Sequence, residues 1–212
     1  MMIVTLFPNP SIGRTVSVPA REHGEVNRAS DSRIDPGGKG VNVSRALAAQ
    51  GTATIAVMPS GGPEGHLMDE LLDTAGVARR SVPVSGSLRM NISVLEPDGT
   101  TTKLNEPCPT LTPADVDALL DATVDAASEG GWVVGCGSLP PGAPTELYAV
   151  LVGRARERGL RVAIDSSGAS MKAAVAALPH LIKPNHEELE ELVERSLPTL
   201  GDVRDAAKDL VA

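Results

Sequence analysis

Three glycines frame a single lysine at Gly37, Gly38, Lys39 and Gly40, just ahead of an amphipathic run. Glycine opens backbone conformations closed to other residues and lets a ligand come close to the chain. A helix starting here offers unsatisfied N–H groups and a positive dipole end, and Lys39 adds a point charge. Together these suit an anionic or hydroxyl-rich ligand. The same glycines also suit a plain strand-to-helix turn, and the loop alone leaves both open. Its spacing fits neither GxGxxG nor a P-loop, which counts against dinucleotide and Walker-type sites. Asn185 and Glu188 stand three residues apart at a helix start and project to one side. In so acidic a run, Glu188 by itself reads as an exposed helical acid. Asp165 closes a strand at the edge where open α/β sheets bind ligands, either as a contact or as scaffold.

These residues need a frame, and the apolar pattern supplies one. Met2–Phe7 and Ala53–Met58 are short continuous apolar runs closed by Pro and Gly, as expected of strands buried on both faces. Trp132–Gly137 and Leu160–Asp165 follow the same rule. Between them lie helical spacings: Val43, Ala46 and Leu47; Leu67, Leu71 and Ala75; Leu147, Val150, Leu151 and Ala155. Thr112-Pro113 gives a cap-then-proline start to a helix carrying Val116, Leu119, Leu120 and Val124. Strand–helix alternation predicts a mainly parallel sheet covered on both faces. Residues 13–19, 25–35 and 87–106 differ, with short polar-faced strands and a hairpin turning at Pro97-Asp98-Gly99. They predict a small β lid, over about 13–35 and 87–107. The last helix, with Val203, Ala206, Ala207 and Leu210 on one face, has the pattern of a crossover to another strand. A missing C-terminal portion is therefore expected, the alternative being a terminal helix packed on a finished sheet.

The chain has 212 residues, 42% of them hydrophobic, enough for one real core. A net charge of −8 argues against a nucleic-acid surface. Phe7, Trp132 and Tyr148 are the only aromatics, too few for base-stacking platforms. Cys108 and Cys136 show neither disulfide nor zinc spacing, and the four histidines show no ligand spacing. No apolar run approaches membrane-spanning length and no signal peptide opens the chain, so a cytoplasmic protein without membrane contact is expected.

Taken in order, residues 5–15 (TLFPNPSIGRT), 37–47 (GGKGVNVSRAL), 86–107, 137–144 (GSLPPGAP), 165–168 (DSSG) and 181–189 (LIKPNHEEL) resemble the signatures of the ribokinase-like PfkB carbohydrate kinases. The likeness covers nearly the whole chain. Its phrasing is most similar to the 1-phosphofructokinase branch, while DSSG and KPNHEEL equally suit 6-phosphofructokinase and tagatose-6-phosphate kinase. The resemblance implies a ribokinase-like α/β fold, ATP and Mg²⁺ as cofactors, and a hexose phosphate as substrate, fructose 1-phosphate first. It places Gly38, Lys39 and Asn42 at the sugar phosphate, with Arg89 as a phosphate-binding arginine and Asn91 beside it by alternation. Asn105 and Glu106 would shape the same mouth. It assigns Lys183 to the ATP phosphates and the pair Asn185 and Glu188 to Mg²⁺, held through water. A homodimer paired through the lid is expected, with a monomer as the alternative.

Two departures stand out. The family pattern after the first strand, Asn-Pro-x-x-Asp-Arg-Thr, here reads Asn9-Pro10-Ser11-Ile12-Gly13-Arg14-Thr15, so the aspartate that holds sugar hydroxyls is Gly13. The Gly-Ala-Gly-Asp turn that supplies the anion hole and catalytic aspartate is not in these 212 residues, so no catalytic base is assigned. The chain alone is expected to be inactive. A non-catalytic sugar-phosphate-binding or regulatory protein is the competing reading.

Overall fold

The apolar run at the amino end forms β1 (Ile3–Leu6), a central strand in a computed structural model that describes residues 2–210. It belongs to a six-stranded parallel sheet with β4 (Thr54–Ser60), β5 (Ala78–Pro83), β8 (Trp132–Cys136), β9 (Arg161–Asp165) and β10 (Leu181–Ile182). The order is β10-β9-β8-β1-β4-β5. Alternate residues of each strand feed opposite faces. Val4, Leu6 and Val57 pack under α3 (Pro113–Ala126), α4 (Leu147–Glu157) and α5 (Gly168–Ala176). Ala56 and Met58 pack on the other face, with Val41 of α1 (Lys39–Ala49) and Met68 and Leu72 of α2 (Gly62–Thr74). The expected α/β architecture, a mainly parallel sheet flanked by helices, is what the chain adopts.

A buried chain of hydroxyls seats α1 on this sheet: Ser44 Oγ lies 2.8 Å from Thr5 Oγ1 and 3.2 Å from Thr54 Oγ1. Side-chain caps start α3 and also α6 (His186–Val193) and α7 (Leu200–Asp209). In each, a Thr or Asn accepts from an N–H three residues on, and an acid there bonds back. Helix α7 packs on α6 through Leu189, Leu197 and Ala206, a small cluster apart from the main core.

The polar strands form a second sheet, of order β3-β2-β6-β7, from β2 (Ser11–Ser17), β3 (Asp31–Gly37), β6 (Arg89–Leu95) and β7 (Thr101–Asn105). Ile12 is fully buried against Phe7, with Ile34 and Met90 beside it. Ser11, Gly13, Asp35, Arg89 and Asn91 alternate with these residues and therefore share the opposite face. One sequence expectation changes here, and one strand lies where the sequence raises no expectation. Strand β3 begins at Asp31 rather than Glu25, because the Asn27 amide ties the preceding segment into a loop. Its Oδ1 accepts from Glu22 N–H and its Nδ2 donates to the carbonyls of Glu22 and Glu25. Strand β5, with Arg79 and Arg80 in its six residues, has no apolar pattern. It survives as an edge strand because Arg79 pairs with Asp69 and Asp73 of α2.

Candidate functional site

The C-terminal ends of β1, β8, β9 and β10 open toward one rim, and the glycine loop crosses it. Gly38 has φ 116, a conformation that L side chains rarely adopt, and it starts α1 with no side-chain cap. A Cβ on Gly40 would lie 2.5 Å from the Phe7 ring, so only glycine lets the first turn sit this close to β1. Like α2, α4 and α5, helix α1 has no side-chain cap, so its first N–H groups are available to a ligand at this rim, unlike those of α3, α6 and α7.

Lys39 reaches from this loop into a cluster of charges. Its Nζ is 3.0 Å from Asp165 Oδ1 and 3.6 Å from Glu188 Oε1, while Lys183 Nζ is 3.1 Å from Asp165 Oδ2. Partial burial pulls the Lys39 ammonium down, but the Asp165 hydrogen bond and charge, with Glu188, outweigh it and hold it above its ordinary range. Asp165, 11% exposed at its side chain, is the hub of the cluster. The sequence alone leaves it between contact and scaffold, and its position as the last residue of a buried strand is the signal. Glu188 divides its carboxylate: Oε2 accepts from Asn185 N–H at 2.8 Å, and Oε1 faces Lys39. Asn185 Oδ1 is occupied in return by Glu188 N–H. With both Glu188 oxygens and Asn185 Oδ1 engaged inside the protein, a Mg²⁺ here would have to be held through water. Two carboxylates already converge on one cation, Lys39, and Mg²⁺ takes few carboxylates while keeping several waters. Among the described residues no group of three or more His, Cys, Asp or Glu is gathered that could cage a metal directly.

The small sheet contributes a second set. Arg89 Nε and Asn91 Oδ1 are buried without hydrogen-bond partners, as is Asn9 Oδ1. Asn91 Nδ2 donates to Ser11 Oγ at 3.1 Å, and Asn9 Nδ2 to Ser138 Oγ at 3.1 Å. Each such orphan costs about 1–3 kcal/mol unless something satisfies it, so three of them near the glycine loop mark a place for a polar ligand. Asn9, Ser11 and Ser138 lie in segments that carry the family resemblance, without a role assigned to them there. Glu106 has a structural task, accepting the Met90 N–H at 2.9 Å, and Asn105 stands across from Asn91. Asn42 is exposed one turn along α1, beside a shallow cavity with Arg45, Ala46 and Gly76, and is not brought into the charged cluster. An apolar cleft of about 310 Å³, lined by Val43, Leu47, Trp132 and Val134, adjoins Asp165 and Lys183.

Residues 8–212 match the model of the pfkB family carbohydrate kinases. The chain belongs to that family. It is 38% identical over 214 residues to a 1-phosphofructokinase of Rhodobacter capsulatus, covering 100% of this chain and 68% of that one. It is 34% identical over 212 residues to an ATP-dependent 6-phosphofructokinase isozyme 2 of Mycobacterium tuberculosis, covering 99% of this chain and 62% of that one. The phosphofructokinase-2 of Escherichia coli, solved in complex with substrates and products, superposes with a TM-score of 0.92 at 33% identity, over 100% of this chain and 69% of that one. The chain thus spans about two thirds of the length of the curated relatives it matches. For this pfkB-family chain the rim carries Lys39, Lys183, Asp165 and Glu188 together.

The loop after β8 is held from below: Tyr148 Oη donates to the carbonyls of Cys136 and Gly137, and Ser166 Oγ donates to Gly137 O. Cys136 at this point is structural. Burial, aided by the charge of Asp165 and partly offset by Lys39 and Lys183, pushes its thiol up to about 12. At pH 8 the native protein is expected to release one equivalent of thiol to a disulfide reagent, from the half-buried Cys108, and a second only in denaturant. Two fast equivalents in the native state would contradict this assignment.

Proposed function

We propose that the chain forms the phosphate-handling part of an ATP- and Mg²⁺-dependent hexose-phosphate kinase, with fructose 1-phosphate as the first substrate and fructose 6-phosphate and tagatose 6-phosphate as alternatives. The observation that carries this is Lys39 Nζ set between Asp165 and Glu188, 3.0 and 3.6 Å away. Phosphoryl transfer asks a protein for positioning and charge neutralisation, and Lys39, Lys183 and the N–H groups of α1 supply both. Arg89, with a planar fork beside Asn91, suits the phosphate of the sugar. Mg²⁺, when bound near Glu188 and Asn185, neutralises nucleotide phosphate charge. The small sheet acts as a lid whose polar face covers the sugar and excludes water. Its edges are where a second copy of the chain would pair, in the cytoplasm.

The test is a coupled kinase assay with the three sugar phosphates. It uses the 212-residue chain and the same chain extended at its C terminus by the segment that its longer relatives carry beyond the match. The extended protein is expected to turn over fructose 1-phosphate fastest, and the 212 residues alone to bind without turnover. No turnover of any of the three by the extended protein would end the catalytic reading. The side-chain-free Gly13 favours a second reading, a sugar-phosphate binder without catalysis, which the same assay with a binding titration separates.

A further inference from the structure

Gly13 occupies the middle of β2 with no conformational need for glycine: its φ is not left-handed, and a Cβ there would touch only the Asp35 carbonyl oxygen, at 3.6 Å. The position is a gap in a row of side chains. Across the antiparallel β2–β3 pair, the residue opposite Gly13 is Asp35, and across the parallel β2–β6 pair it is Asn91. Directly opposed residues of antiparallel strands share a face, with Cβ positions roughly 5 Å apart. Asp35, the gap and Asn91 therefore run side by side on the polar face of the small sheet, one step from Ser11 and Arg89. Asn91 Oδ1 is buried and lacks a partner, an acceptor waiting for a donor. Arg33 Nε holds Asp35 Oδ2 at 2.7 Å, which fixes the carboxylate, and Asp35 Oδ1 makes no hydrogen bond among the described residues. Two acceptors facing one gap suit a ligand that brings neighbouring hydroxyls.

We propose that Asp35 holds the sugar hydroxyls in this chain, reaching over the space left by Gly13, with Asn91 Oδ1 as the second acceptor. The assignment rests on the hexose-phosphate reading above. It makes Asp35 a substrate-binding and specificity-determining residue that the strand after the loop supplies in place of the strand before it. The Arg33–Asp35 pair has side chains 73% and 39% exposed, so it contributes little to stability and its loss leaves the fold intact.

Calorimetric titration of the purified protein with fructose 1-phosphate, and with inorganic phosphate as a probe of the anion contacts alone, tests this. Asp35→Asn is expected to weaken fructose 1-phosphate about tenfold or more, the loss of a charged acceptor to a bound hydroxyl, and to leave inorganic phosphate unchanged. Gly13→Asp added to Asp35→Asn is expected to restore most of the loss, because a carboxylate re-enters the same row. Arg89→Ala, by contrast, weakens both ligands. Unchanged affinity in Asp35→Asn, equal losses for both ligands, or no recovery on adding Gly13→Asp would each overturn the assignment. Failure of the wild-type protein to bind fructose 1-phosphate, fructose 6-phosphate or tagatose 6-phosphate would overturn the hexose-phosphate reading and Asp35 with it. Wild-type binding beside an indifferent Asp35→Asn would overturn Asp35 alone.

Discussion

Replacing Lys39 with alanine is expected to slow phosphoryl transfer by the C-terminally extended protein about a hundredfold or more, the usual cost of one preorganised charge aimed at developing negative charge. The melting temperature should move by only a few degrees. The Lys39 side chain is 45% exposed, and its removal leaves Asp165 with Lys183 still 3.1 Å away. Lys183→Ala, at 70% exposure and with a single carboxylate contact, should cost only about tenfold. Lys39→Arg is not a conservative repair, since a planar fork cannot place its charge where a compact ammonium sat between two carboxylates. The pH dependence follows from the raised Lys39 value. A cation held above its unfolded pKa contributes stability in full below about 10.5, its ordinary value, and loses it as pH climbs through the raised one. The stability gap between wild type and Lys39→Ala should stay level through neutral pH and close only in strong alkali. Initial rates in a coupled assay and melts from pH 6 to 11 check both parts. A turnover within threefold of wild type would remove Lys39 from the site.

Much of this frame is legible from residue order, and the exceptions have physical causes. The buried strands β1, β4 and β8 read out as apolar runs because both of their faces meet helices, while β9 packs under α4 and α5 on one face and borders the apolar cleft on the other. Strand β5 does not, because an edge strand needs only one apolar side and can park Arg79 against the acids of α2. The glycine loop is visible because Gly38 and Gly40 answer to backbone geometry and close packing, both of which exclude other residues. Asp165 is half-visible: a strand end marks the rim but says nothing about which cations will reach it. Lys39 and Glu188 meet only in the fold: Lys39 opens α1, and Glu188 lies in the first turn of α6, just past β10. Family resemblance named both residues, and the fold sets them 3.6 Å apart. Asn9, Ser11 and Ser138 lie in segments that carry the family resemblance, yet their roles are not legible there, since small polar residues in loops and strand ends carry no periodicity. Their roles emerge only from hydrogen bonds and from the acceptors that lack them.

Glu188 has two duties that substitution can separate. One oxygen closes the capping box of α6, accepting from Asn185 N–H, and the other faces Lys39. Glu188→Gln keeps the first duty, because a glutamine carbonyl at this position caps as a glutamate does. It loses the second, because its amide group brings no negative charge to the rim and presents either a neutral acceptor or a donor to Lys39. Glu188→Ala loses both. Both variants are therefore expected to lower turnover of the extended protein about a hundredfold and to raise the Mg²⁺ concentration for half-maximal rate about tenfold or more. Only Glu188→Ala should also lose stability, about 0.5–1 kcal/mol for the hydrogen bond returned to Asn185 N–H, since Asn185 still caps the helix. Magnesium titrations of the initial rate, set beside urea melts of the same three proteins, read the two duties apart. If Glu188→Gln kept wild-type turnover and magnesium dependence, Glu188 would be a helix cap and nothing more. The carboxylate facing Lys39 would then belong to the packing of α6 against the rim, and the phosphate site would have to be built from Asp165 and the two lysines alone.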